Sequence, residues 1–537
     1  MKRLIALLII LAICFSGCSR KIEKPIDKPS DKIEATDNPG TGNTGGEDNP
    51  GGEDNPGGDG NCDSGKHTDD DDDGECDYCS VSVIVVVDVF ALNDLHGKIT
   101  ASSAQSGVGG LTTYLMNESD DNSILLSSGD MWQGTAESGL TFGAIMTEWM
   151  NRVGFVSMTV GNHEYDWSDA YVYSNKQIAE FPFLAINVYD KTTGKRAAYA
   201  TPSVVVERDG VEIGIIGAIG DCYSSISSEM RTNFTFKTGS DLTKLVKDEA
   251  DRLRAQGVDF IIYSIHDGYE SNTTGIKSVS STDISAYYDL SLSNGYVDLV
   301  FEGHTHRSYV LRDTYGVYHL QGGGENSGLS RAEVSINSAN GNTSVDAPTV
   351  VKSSAWNNLQ THTIVTELLI EYDAVVTKAN EKLGYNKSYR NDAALEQIVA
   401  QLYYEFGVEE WGDEYTVTLG GGFLRTRSPY NLSKGDVYYS DVYSLFTFNN
   451  DIVLCSISGR DLLSKFINTS NTDYYVAAGV SEETLKATID PNKTYYIVVD
   501  SYTSSYRYNN LTEVARISGL YARDLLAEYV KSGGLAS

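Results

Sequence analysis

Positive charge is scarce in this 537-residue chain: 41 Lys and Arg face 74 Asp and Glu, a formal net charge of −33. A nucleic-acid polymer needs a basic footprint on its partner, so that class of ligand is excluded. Part of the acidity is local, since positions 31–80 hold 16 acidic and 2 basic residues, a net −14. The rest still repels a small anion unless cations at a site reverse the local field. Long apolar runs are also missing near the start: the run at 4–15 is too short to span a bilayer as a mature anchor. Histidine is rarer still. There are eight in the chain and none from 391 onward.

The short N-terminal run reads as a targeting segment at 1–18. Lys2 and Arg3 precede it, and Phe15-Ser-Gly-Cys18 overlaps its end. That ending resembles a bacterial lipobox, which implies cleavage before Cys18, lipidation of Cys18 and residence on the outer face of the cell membrane. An ordinary secretion signal would give the same export. Residues 19–60 read as a disordered acidic Gly/Pro tether, repeating Gly-Glu-Asp-Asn-Pro-Gly at 46–51 and 52–57. Such a segment has too little apolar surface to offset the entropy of ordering.

Residues 61–80 form a small island. Cys62, His67, Cys76 and Cys79 suit a tetrahedral structural zinc site. Asp69-x-Asp71-x-Asp73-Gly74 instead opens like a calcium loop, although Ser80 stands where the twelfth-position acid belongs. An acidic spacer is the third reading.

From 83 to 340 strands and helices alternate, which points to a layered α/β (α+β) domain. Residues 109–116, 142–153 and 241–256 are spaced as helices, and 211–219 reads as a buried strand. Residues 358–382 read as one long amphipathic helix within a linker at 357–385, with Ile364, Leu368, Ile370, Val375 and Val376 available for burial. A second domain follows at 388–537. There, 394–406 and 511–529 read as helical, and 436–458 and 494–499 as strand-rich. Without histidine it is an unpromising metal holder, so its expected contribution is substrate binding. Cys222 and Cys455, each in an apolar setting, read as buried free thiols.

Five apolar runs end at polar residues of ligand type: Asp94-Leu-His96, Gly129-Asp130, Gly161-Asn162-His163-Glu164, His266, and Gly303-His304-Thr-His306. Strand ends place such residues at the rim of a sheet, where open α/β sheets bind ligands. Five of the eight histidines sit in these endings. Residues i and i+2 of a strand point the same way, so Asp94 with His96, and His304 with His306, can each grip an ion. Asp130 follows Ser-Ser-Gly and can bridge two ions, while Asn162 and His266 supply further donors. Oxygen and nitrogen donors without cysteine suit Mn, Fe, Co or Zn. Two such ions about 3.5–4 Å apart clamp a phosphoryl group and lower the pKa of a water between them. His163 can donate a hydrogen bond to phosphate or protonate a leaving oxygen, with Asp166 fixing its tautomer.

These motifs, with Asn93-Asp-Leu-His-Gly97, Gly129-Asp-Met-Trp-Gln-Gly134 and Ser264-Ile-His-Asp-Gly268, resemble the 5'-nucleotidase and 2',3'-cyclic nucleotide 2'-phosphodiesterase family. That family is the secreted branch of the calcineurin-like metallophosphoesterases. The resemblance covers about 83–520. It implies a four-layer αββα domain with metal ligands Asp94, His96, Asp130, Asn162, His266, His304 and His306, and a His163–Asp166 dyad. It implies a C-terminal nucleoside-binding domain that rotates about a linker helix, and a small nucleotide as substrate. Gly420-Gly-Gly-Phe-Leu-Arg425 and Thr447-Phe448-Asn449-Asn450 look like departed forms of the family's Asn-x-Gly-Gly-Ile-Arg and Pro-Phe-x-Asn, which implies a phosphate or ribose contact for Arg425 and one side of an aromatic clamp for Phe448. The family's Gly-Gly-Asp-Gly before the second aromatic is absent. Ser501-Tyr-Thr-Ser-Ser-Tyr-Arg-Tyr508 stands there, making Tyr506 or Tyr508 the stacking candidates. The expected activity is phosphate removal from nucleoside 5'-monophosphates. Opening of 2',3'-cyclic nucleotides or cleavage of nucleotide sugars uses the same ligands, and a binding or adhesion lipoprotein on the same fold is the non-enzyme alternative.

Overall fold

The computed structural model describes residues 67–77, 81–101, 107–227, 229–421, 431–467, 474–475, 480–507 and 510–536. Two seven-stranded sheets organise the N-terminal part. The first runs Thr343–Lys352, Gly328–Asn337, Ile84–Leu92, Ile124–Ser127, Ser157–Thr159, Phe183–Leu184 and Ala200–Thr201. The second runs Ile276–Ser278, Ser308–Arg312, Tyr318–Gly322, Leu299–Glu302, Phe260–His266, Val211–Ile219 and Ser203–Arg208. They pack face to face: Val87, Val89 and Ala91 of the first share a core with Ile213, Ile215, Phe260, Ile262, Leu299 and Phe301 of the second. Alternate residues Phe90 and Leu92 enter a separate outer core with helices Val108–Glu118 and Ala144–Val153. Helix Gly239–Ala255 covers the second sheet through Leu242, Val246, Ala250 and Leu253. Helices thus flank both sheets, a four-layer αββα arrangement. Strands buried on both faces explain the near-continuous apolar runs.

Strand register decides where the polar endings meet. Leu92 pairs with Ser127 and Ser127 with Met158, so the chain leaves these parallel neighbours side by side at 93–96, 128–130 and 160–163. In the other sheet Ile265 pairs with Glu302 and His266 with Ile219. Both sheets therefore open at one rim.

The C-terminal part has a five-stranded sheet, ordered Tyr474–Tyr475, Val417–Gly421, Thr494–Asp500, Asp451–Ser458 and Thr512–Tyr521. Helices Asp392–Trp411 and Ala522–Lys531 cover one face. Ala136 of the N-terminal part joins that core, and helix Ala136–Leu140 meets Tyr443 of helix Tyr439–Leu445.

Four sequence expectations differ from the structure. Residues 358–382 form two helices, Thr363–Glu371 and Asp373–Ala379, broken at Tyr372, before strand Lys382–Asn386 begins. The break falls between two cores: Val365 and Leu368 bury in the N-terminal one and Ala379 in the C-terminal one. Ile370, expected inside, is 69% exposed. Residues 511–529 are half strand, because Thr512–Tyr521 pairs antiparallel with Asp451–Ser458 and the helix starts only at Ala522. A helix, Tyr439–Leu445, interrupts 436–458, its first turn closed by Asp441 accepting from the Tyr438 N–H at 2.8 Å. The first sheet also runs past 340, since Thr343–Lys352 is its edge strand. Cys222 and Cys455 are buried and unbridged.

Candidate active site

Five of the seven expected ligands have backbones in the left-handed region: Asp94 (φ 52°), His96 (49°), Asp130 (55°), His304 (68°) and His306 (55°). Each costs about 1–2 kcal/mol relative to ordinary backbone and persists only where the surroundings over-determine it. Close packing supplies that constraint. A Cβ on Gly161 would lie 2.3 Å from Asp130 Oδ1, and one on Gly129 would lie 2.6 Å from His266 Nδ1.

The side chains gather into two overlapping sets. In one, His96 Nε2 lies 3.0 Å from His306 Nε2, and Asp94 Oδ1 lies 3.2 Å from His306 Nε2. In the other, Asn162 Oδ1 lies 2.9 Å from His304 Nδ1 and 3.2 Å from His266 Nε2, which is 3.1 Å from Asp130 Oδ2. Asp130 Oδ2 is also 4.0 Å from His96 Nε2, which puts Asp130 between the sets. All seven expected ligands are therefore in one place.

The donor chemistry fits cations. Each aspartate has one oxygen anchored by the chain: Asp94 Oδ2 accepts from Asn93 Nδ2 (2.6 Å) and the His304 N–H (2.9 Å), and Asp130 Oδ1 from the His163 N–H (2.8 Å). The other oxygens, Asp94 Oδ1 and Asp130 Oδ2, are buried and accept no hydrogen bond of good geometry. The imidazoles are oriented from behind, with His266 Nδ1 2.6 Å from Ser128 O and His96 Nδ1 2.9 Å from Gln133 O. A ring donating through Nδ1 turns its Nε2 lone pair toward the aspartates. Buried carboxylate oxygens facing imidazole lone pairs are stable only with positive charge between them.

Electrostatics agree. Burial alone would raise Asp130, but His266 and His163 hold its carboxyl well below the ordinary range. Burial likewise works to raise Asp94, and His306 overcomes it and lowers the carboxyl. Against its own burial, His266 is raised to about 10 by Asp130. Burial and His266 push His304 down to about 4, leaving it a neutral donor.

His163 stands at the mouth. Its Nδ1 is 2.6 Å from Asp166 Oδ2, and its Nε2 is 4.0 Å from Asp130 Oδ2. Phe448, from the C-terminal part, sets its ring centroid 5.9 Å from that of His163. Between them lies a cleft of about 240 Å³ lined by Asn450, Ser501, Tyr502 and Arg516 among others. Arg425 and Tyr508 lie outside the described residues, as does the Tyr506 side chain, so Tyr502 is the described tyrosine beside Phe448.

Two working residues were not assigned roles from sequence. Glu164, fully buried, accepts from the backbone N–H of Asp130 (3.0 Å), Met131 (2.9 Å) and Gly161 (2.7 Å), tying two ligand loops together. Its position beside Asn162-His163 was the available signal. Arg523, 6% exposed, donates to Phe446 O (3.1 Å), Phe448 O (3.0 Å) and Asn449 Oδ1, fixing the loop that carries Phe448. No sequence pattern marks it, because the contact spans 75 residues.

The expected lipidation residue Cys18 and the island residues Cys62 and Cys79 lie outside the described residues, while Cys76 is buried. The donors that gather among the described residues are Asp69, Asp71 and Asp77. Asp69 accepts from the Asp73 and Gly74 N–H groups and from Asn337 Nδ2, which ties the island to the first sheet.

No family model matches the chain. An apyrase from Tabanus yao is 24% identical over 433 residues, 70% of this chain and 72% of the relative. Protein UshA of Yersinia enterocolitica is 22% identical over 445 residues, 71% and 77% of the two chains. Over 184 residues, 34% of this chain and 32% of the relative, UshA of Escherichia coli reaches 30%. Among solved structures, a protein from Staphylococcus aureus assigned as a 5'-nucleotidase gives a TM-score of 0.62 at 16% identity, covering 84% of this chain and 98% of its own. A 5'-nucleotidase precursor from Thermus thermophilus gives 0.59 at 17%, covering 83% and 96%. In sequence the chain is similar to an apyrase and to UshA proteins, and in fold to solved 5'-nucleotidases, with two sheet-rich domains in the order of a calcineurin-like phosphoesterase domain and a C-terminal nucleotidase domain.

Proposed function

We propose that this chain is an exported, two-metal hydrolase that removes phosphate from nucleoside 5'-monophosphates. The observation that carries the reading is the pair of buried carboxylate oxygens, Asp94 Oδ1 and Asp130 Oδ2, converging on four imidazoles beneath the Phe448 cleft. Asp94, His96, Asp130 and His306 would hold one divalent ion, and Asp130, Asn162, His266 and His304 the other. When bound, the pair polarises phosphoryl oxygens and activates water. Mn, Fe, Co and Zn all suit this donor set.

The remaining roles fall to the chain. His163 Nε2 faces the opening and donates to a phosphate oxygen, where a hydrogen bond strengthens as negative charge develops. Asp166, bound to Nδ1, holds the ring in that orientation. Phe448 offers a flat face to a base, with Asn450 beside it for the base edge. Export and anchoring rest on Lys2, Arg3, the apolar run and Cys18. No helix of the described residues is long and apolar enough to cross a membrane.

The test is phosphate release from AMP, UDP-glucose and 2',3'-cyclic AMP after chelation and metal return, with His163→Ala alongside. Metal-dependent release from AMP that falls at least 100-fold in the variant is expected, the lower end of what a general acid contributes. Turnover confined to the cyclic or sugar nucleotide moves the substrate assignment. No turnover by folded, metal-loaded protein overturns the enzyme reading.

A further inference from the structure

Behind the Gly303–His306 turn lies a buried polar cluster that coordination leaves unexplained. Glu302, His319 and Gln321 are each no more than 1% exposed. Glu302 Oε1 lies 2.8 Å from His319 Nδ1, and its Oε2 accepts from the Tyr309 and Tyr287 hydroxyls. His319 Nε2 lies 3.3 Å from Asp313 Oδ2, and the ring meets Tyr288 edge-on at 4.6 Å. Gln321, two residues further along the same strand, spans the turn. Its Nε2 donates to Gly303 O (2.9 Å) and its Oε1 accepts from Thr305 Oγ1 (3.0 Å) and the Arg307 N–H (2.9 Å). Gln321 Nε2 also donates to the Tyr309 hydroxyl (2.9 Å), which joins it to Glu302.

Paired charges placed in a core without function are expensive, and replacing them with apolar residues is often neutral or stabilising. What they accompany here is strain. His304 and His306 both hold positive φ, and a turn with two such residues relaxes unless held from outside. Gln321 grips the turn on both sides of the two histidines, and the Glu302–His319–Asp313 row fixes the strand that carries Gln321 to the strand that ends at Glu302.

We infer that Gln321 and Glu302 are positioning residues that hold His304 and His306 in ligating geometry, and so set the affinity of both metal positions together. The inference rests on the two-metal reading above. Its distinctive content is the coupling: His304 faces the Asn162–His266 set and His306 the Asp94–His96 set, so loosening one turn weakens both.

The test measures stepwise dissociation constants for Mn2+ by chelator competition on the whole chain. Wild type is compared with Gln321→Met, close in size but unable to bond the turn, and with Glu302→Gln, which keeps shape and removes charge. Leu454→Ala, in the distant C-terminal sheet, controls for general destabilisation. Both constants are expected to rise at least tenfold in both variants, within the 10- to 100-fold range for groups that orient ligands. Saturating metal should restore kcat, and the control should bind as wild type. Constants within twofold of wild type, or a rise at one position only, overturn the inference even if melting temperatures fall. Where Gln321→Met does not fold, Glu302→Gln decides by the same criterion. Wild type that binds no metal defeats the reading of the centre instead, so the two failures are distinguishable.

Discussion

Replacing Glu164 with Gln tests whether the ligand loops are held by backbone hydrogen bonds to a single carboxylate. Glu164 Oε2 accepts from the Asp130 and Gly161 N–H groups and Oε1 from the Met131 N–H. Gln keeps the shape but offers one carbonyl oxygen. If that oxygen faces Asp130 and Gly161, the amide NH2 confronts the Met131 N–H and leaves a buried donor unmet, at about 1–3 kcal/mol. The two surviving bonds lose their charge assistance, roughly 1 kcal/mol each, since bonds to ionised groups are about twice as strong as neutral ones. The hydrogen bonds alone therefore predict a loss of about 3–5 kcal/mol, of which Gln's escape from a buried charge beside Asp130 offsets about 3 kcal/mol. Burial and Asp130 push the Glu164 carboxyl up to about 7, so the comparison belongs at pH 8.5, where it is ionised. Chelator removes metal linkage, which would otherwise inflate the difference. Urea unfolding followed by fluorescence of the buried Trp132 and Trp149 is the assay. A variant more stable than wild type would refute the reasoning and reduce Glu164 to a bystander.

Other outcomes follow from the same geometry. Arg523→Met frees the loop carrying Phe448 and should raise KM for AMP about tenfold with kcat nearly unchanged, because a hydrogen-bonded positioning contact is worth about 1–3 kcal/mol. A fall in kcat alone contradicts that role. His319 is opposed by burial but raised to about 9 by hydrogen bonds to Asp313 and Glu302. A raised folded-state pKa stabilises fully below the unfolded value of about 6.5 and is lost as pH rises through the folded one. Stability of the metal-free chain should accordingly carry a decline between about pH 6.5 and 9 that His319→Leu flattens, and an unchanged slope in the variant refutes it. Cys18→Ala should release the protein from the membrane fraction, read by fractionation and lipid labelling, and unchanged membrane retention contradicts a lipid anchor.

Most of the fold and the gathering of the candidate ligands could be read in advance for one reason. Parallel strands buried on both faces leave uninterrupted apolar runs, and the ligands stand where those runs stop, as at Leu92 before Asp94 and Phe301 before His304. What escaped was set by contacts distant in sequence. Gln321 looks like any polar residue of a strand until its turn is seen across the sheet, and Arg523 looks like a helix-surface cation. The break at Tyr372 is equally unreadable, because both helices have amphipathic spacing. Thr512–Tyr521 misled because its pairing with Asp451–Ser458, not its own pattern, makes it a strand.

The central claim is that the oxygens of Asp94 and Asp130 exist to hold two ions that the reaction needs. The most direct test counts Mn2+ equivalents bound by the chelated protein while following phosphate release from AMP at each addition. Two equivalents bound, with activity absent at the start and complete at the second, is the predicted result. Full activity in the presence of chelator, or saturation of activity at a single equivalent, would contradict it.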